Sequence, residues 1–155
     1  MPNETLIEEV EESLILQLKA KLPDIKAISA LTEQDFDEDD RIIAATPAIR
    51  VLMRAEQLTP GADAQRLTYD SAQNWMALCG AQRPTTFDKE RAAALLLVTR
   101  VKAALAGAKL PLPSNTYGAV VALAGAELFQ LGPEGTWYAV ACRVESVTQF
   151  TANMT

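Results

Sequence analysis

The stretch Trp137-Tyr-Ala-Val-Ala-Cys-Arg-Val-Glu145 alternates two kinds of side chain. Tyr138, Val140, Cys142 and Val144 fall on one side, and Ala139, Ala141, Arg143 and Glu145 on the other, which Trp137 shares. A period of two is the period of a β-strand, and it predicts a closing strand over 137–149. Just upstream, Gly132-Pro-Glu-Gly135 is a turn signal. Before it, the run 117–131 holds Val120, Val121, Leu123, Leu128 and Phe129. A turn this short joins neighbours, so these two strands pair antiparallel. Gly125 interrupts the first of them and marks a bulge.

The same period recurs earlier. In Pro47-Ala-Ile-Arg-Val-Leu-Met53, Ile49, Val51 and Met53 alternate with Arg50, Leu52 and Arg54, a strand with one partly charged face. After the turn signal Thr59-Pro-Gly-Ala-Asp63, residues 66–81 read as a long strand. Trp75, Ala77 and Cys79 alternate there with Met76 and Leu78, so its end is apolar on both faces and belongs in the middle of a sheet. A short strand is expected at 25–31.

Two segments switch to the helical period. Over 4–22, Leu6, Val10, Leu14 and Leu18 recur every four residues. Glu8, Glu9, Glu11 and Glu12 suit the positive helix N-terminus, Lys19 and Lys21 suit the other pole, and Pro23 stops the run. Over 88–106, Ala94, Leu97, Val98, Val101 and Leu105 form one stripe. Thr86 or Asp88 is the expected N-cap and Gly107 the stop. Pro111 and Pro113 keep the next segment extended. The order α-β-β-β-α-β-β predicts an α+β fold, a mostly antiparallel sheet with two main helices packed on it. The expected organisation is one domain over 1–155, with an acidic loop at 32–41 and a flexible tail at about 150–155.

Composition excludes several functions. The chain has 155 residues, a formal net charge of -6 and no Lys/Arg run. A generic nucleic-acid or anionic-membrane binder needs a basic footprint, so neither a membrane nor a nucleic-acid sequence is an expected partner. There is no histidine, which removes the commonest general base and metal ligand. The N-terminus lacks the basic-then-apolar pattern of a signal peptide, and no apolar run approaches the ~20 residues of a membrane span. Synthesis in the cytoplasm is the expectation. Cys79 and Cys142 read as buried thiols, with a disulfide open if their strands are neighbours.

No cofactor or catalytic residue is expected. Asp35, Asp37 and Asp39 have the alternation of a calcium loop, but Asp40 stands where glycine is needed and Thr46 where the bidentate glutamate belongs. Asp35, Asp37, Glu38, Asp39 and Asp40 are then a solvated loop, or one that docks on a basic partner. Surface candidates come from residues left off the apolar stripes. Leu96 lies opposite the core stripe of its helix, near Ala92 and Ala103, and Leu16 lies likewise on the back of the first helix. Trp137, Arg143 and Glu145 point away from the apolar face of the last strand. Trp and Arg are interface-prone types, or this is a second sheet face covered by a helix. These seven residues are the candidate subunit or partner interface.

Taken together, the opening helix Ile7-Glu-Glu-Val-Glu-Glu-Ser-Leu-Ile-Leu-Gln-Leu-Lys-Ala-Lys-Leu-Pro23, the strand 47–53 after an acidic loop, Asn74-Trp-Met-Ala-Leu78 ahead of the helix 90–107, and the closing Trp137-Tyr-Ala-Val-Ala-Cys-Arg-Val144 are in a familiar order. The chain resembles the Mu-like phage family of tail-terminator (tail-completion) proteins over nearly its whole length. The likeness is carried by the succession of helices and strands, with no catalytic signature to transfer. It implies a subunit made in the bacterial cytoplasm that forms a homo-oligomeric ring, usually of six. That ring caps the tail tube or sheath of a phage or contractile injection particle, stops its polymerisation and offers a surface to the head connector. In such a ring the loop of Asp35 to Asp40 would line the lumen, keeping DNA phosphate from sticking, or dock on a basic rim. Two other readings stay open: an adaptor or immunity-like protein that binds one basic partner, and a metal-dependent carboxylate enzyme.

Overall fold

In a computed structural model, residues 6–61, 68–81, 87–113, 115–132 and 135–149 are described. The elements run α1 (Leu6–Lys21), β1 (Ala27–Ala30), a 3-10 turn (Glu33–Asp35), β2 (Ala48–Pro60), β3 (Thr68–Gly80), α2 (Phe87–Leu105), β4 (Lys109–Leu112), β5 (Asn115–Gly132) and β6 (Gly135–Gln149). The fold is α+β, as the periodicities predict. The expected tail at 150–155, the N-cap Thr86 and parts of the turns at 59–63 and 132–135 lie outside the described residues.

The strands form one sheet in the order β1-β2-β3-β6-β5-β4. Among the described strands, only the β1–β2 pair is parallel. β3 is central, as its two apolar faces require. The strand β4 was not expected, because Pro111 removes a backbone donor. It survives as an edge strand, the place where proline is tolerated, and its register with β5 shifts between Leu110 and Leu112.

Side-chain parity divides the sheet into two buried faces. On the front, Ile49, Val51, Trp75, Ala77, Cys79, Val140, Cys142 and Val144 pack with the apolar stripes of both helices. Leu14, Leu18 and Leu105 are among the fully buried side chains there. Removing one such leucine side chain costs about 2–5 kcal/mol. Helix α1 packs against both β1 and β4, the two ends of the strand order, so the sheet curls around it. Ser13 Oγ donates to the Pro111 carbonyl, and Gln17 Nε2 donates to the Ala104 carbonyl at 3.0 Å, fixing α1 against β4 and α2.

On the back, Ala48, Met76, Leu78, Trp137 and Ala139 pack under Ile42, with Phe36 and Ala44 against the cluster. The lid is the crossover between β1 and β2, which a parallel pair requires. This lid contains the acidic loop. It therefore covers a second apolar face, a role that neither sequence reading of the loop, solvated or docking on a basic partner, included.

Candidate assembly surface

The loop's acids divide by their partners. The Thr32 backbone N–H donates to Asp35 Oδ2 at 2.9 Å and Arg50 Nε donates to Asp35 Oδ1 at 3.1 Å. Partial burial works against the Asp35 charge, but these donors outweigh it and hold the carboxyl below the usual carboxylate range. Asp37 Oδ1 accepts from the backbone N–H groups of Asp39 and Arg41, both at 2.9 Å. The loop is tied to the β5–β6 hairpin by Gln130, whose Oε1 accepts from Ile42 N–H at 2.7 Å and whose Nε2 donates to the Ile42 carbonyl at 3.0 Å. Asp35 and Asp37 thus shape the lid, while Glu38, Asp39 and Asp40 are exposed. Among the described residues, no three His, Cys, Asp or Glu side chains are grouped to hold a metal ion.

Of the interface candidates, Leu16 is 58% exposed and Leu96 is 62% exposed. Ala92 and Ala103 are exposed on the outer side of α2 with Leu96. Trp137 is 0% exposed and belongs to the back-face core. This corrects its assignment to a surface: it does face away from Val140 and Cys142, but the lid covers that side. Arg143 and Glu145 lie further along the same face, past the lid, where both are exposed and pair at 2.9 Å. They line an open depression of about 530 Å³ with Thr59, Asp70 and Val120.

A polar cluster on the front face is self-satisfied. Ser71 Oγ and Gln73 Nε2 donate to Glu56 Oε2 at 2.7 and 3.2 Å, and Trp75 Nε1 donates to Gln73 Oε1 at 2.8 Å. Such a network fixes register rather than offering a reactive group.

A further exposed apolar strip was missed by sequence reasoning. β4 accompanies β5 only as far as Val120, and the turn ahead of it adds Val121: Gly107 N–H donates to the Val121 carbonyl and Val121 N–H to the Ala108 carbonyl. Beyond that point, no described strand pairs with the outer edge of β5. Residues 122–129 are all exposed, including Leu123, Leu128 and Phe129. Their run of small and apolar residues is compatible with any sheet strand, and it carries no sign of which edge the topology leaves open.

No family model matches the sequence, and no curated protein matches it. The fold is similar to that of a chain in a solved structure titled "Virion of native gene transfer agent (GTA) particle". The TM-score is 0.51 and the identity 14%, and the match covers 92% of this chain and 98% of that one.

Proposed function

We propose that this chain is a structural subunit of a phage-like tail. In this reading it assembles into a ring, of six copies, that caps the tail tube or sheath, ends its growth and presents a docking surface to the head connector. The role is one of binding, without catalysis or cofactor. The observation that carries it is apolar surface beyond the needs of one core: Leu16, Leu96 and the strip 122–129 are all exposed. An apolar row along an unpaired strand edge, unlike a singly scattered residue, marks an interaction surface, and a subunit of a closed assembly has a use for one. The likeness to a chain of a virion particle, end to end in both chains, supports the same reading. The exposed acids Glu38, Asp39 and Asp40, carried on the lid with Asp35 and Asp37, face the lumen or a basic docking rim.

The test is deletion of the gene from the strain that produces the particle, followed by electron microscopy. A cap predicts tubes of irregular, excessive length that do not join heads. Tails of normal length on complete particles would rule the reading out.

A further inference from the structure

We propose that the β5 strip of one subunit docks on the outer face of α2 of the next copy. The inference rests on the ring reading and supplies its contact. Three observations choose this occupant.

The first is the shape of the strip. β5 has register shifts between Leu123 and Gly125 and between Leu128 and Gln130. Bulges twist an edge and break the regular row of N–H and C=O groups that strand addition needs. The strip therefore offers apolar side chains more than a ladder, and the complement is a side-chain surface. Its eight residues span about 26 Å at ~3.3 Å per residue. The apolar outer face of α2, over 92–105, spans about 21 Å at 1.5 Å per residue, so it fits within the strip.

The second is the α2 surface. Leu95 and Leu96 are both exposed, and they flank the small residues Ala92, Thr99 and Ala103. That face is apolar, ridged at its sides and low in its middle, which suits a strand's row of side chains.

The third is charge. Over 118–132 the only charged residue is Glu127, and over 92–105 the only ones are Arg100 and Lys102. Arg100 is committed to Asp24, donating from Nη1 at 2.9 Å. Lys102 lies two helical turns from Leu95, on the same side of the helix. An acidic apolar strip and a basic apolar face complement each other, whereas strip against strip or helix against helix brings like charges together. The two surfaces also point in different directions, one along the sheet edge and one away from the sheet front. A contact between different patches is heterologous, the kind that closes a ring. A contact of this length and one helix width is at the low end of stable interface sizes, so closure of the ring contributes to its stability.

The experiment uses the full chain in sedimentation velocity, and beside isolated tail tubes. Leu128→Asp spoils the strip, and Leu96→Asp spoils the helix face. Both positions are exposed, and unchanged circular dichroism and melting temperature confirm folding. Each variant alone is expected to lose assembly. Their 1:1 mixture retains one good strip and one good helix face, and should form dimers that do not grow. Glu127→Lys and Lys102→Glu should each weaken assembly at least tenfold, with the double variant restoring it. Single variants that assemble like wild type, or a mixture that gives no dimer, overturn this contact and leave the ring standing. Variants that assemble normally but no longer bind tubes also overturn it, and assign the strip to the tube protein. A wild-type chain that stays monomeric both free and beside tubes removes the ring reading and the contact together.

Discussion

Gly80 of β3 faces Trp137 of β6 across the sheet, and the indole fills the space where a side chain at position 80 would begin. A Cβ built on Gly80 would meet Trp137 Cε2 at 2.5 Å and Cζ2 at 2.6 Å. The glycine is what lets a tryptophan lie flat under the lid.

Gly80→Ala therefore forces the indole or the lid to move. We expect a loss of about 1–3 kcal/mol, the usual cost of overpacking, read as a lower urea midpoint at unchanged slope. A red-shifted tryptophan emission should accompany it. An unchanged midpoint would mean that the ring has room the structure does not provide.

Asp35 links lid to sheet through Arg50, and its side chain and that of Arg50 are both only 13% exposed. Its carboxyl titrates below the usual range in the folded chain, so the sign is fixed. Its contribution is present in full above the unfolded carboxylate pKa, near 4, and is lost as pH falls through the lower folded value. Asp35→Asn should cost about 1–3 kcal/mol at pH 7 and flatten the acid limb of stability against pH. Glu11 works the other way. Burial, helped by Glu8, raises its pKa, so its contribution is present at low pH and is lost as pH rises through that raised value. Thermal melts of Asp35→Asn and Glu11→Gln against the parent chain across pH 3–7 check the two signs.

The two cysteines stand on neighbouring strands and still cannot pair. Cys79 lies opposite Tyr138, and Cys142 lies opposite Trp75. The offset of four residues is about 13 Å at ~3.3 Å per residue, beyond the ~7 Å Cα limit for a bridge. Burial pushes the Cys79 thiol up to about 12 and the Cys142 thiol up to about 11. Mass spectrometry after iodoacetamide at pH 8 should find neither labelled in the native chain and both labelled in urea, with no intramolecular disulfide after air oxidation.

Calcium should not stabilise the lid. Asp35 and Asp37, the first two carboxylates of the alternating series, are already occupied by Arg50 and by backbone N–H groups. Millimolar calcium or EDTA is expected to shift the melting temperature by less than about 1 °C, since only a ligand bound to the native state raises it.

Much of the fold is legible in local periodicity, because burial dictates it. The stripe Ala94, Leu97, Val98, Val101 and Leu105 is buried as spaced, and the bulge at Gly125 lies where glycine breaks the strand pattern. What local pattern does not hold is the partner across space. Trp137 was legible as facing away from Val140, but the covering of that face by Phe36 and Ile42 depends on where the crossover lies. The exposure of 122–129 depends on β4 beginning only at Lys109, opposite Val120, which is a matter of strand pairing across space. Leu16 and Leu96 were legible because a helix states its own outer face.

The most direct test of the cap reading is the mass of the purified chain in solution by light scattering, followed by negative-stain imaging with isolated tail tubes. A mass near six subunits, or a single added density at one end of each tube, is the predicted result. A monomer at high concentration that leaves both tube ends bare would contradict it.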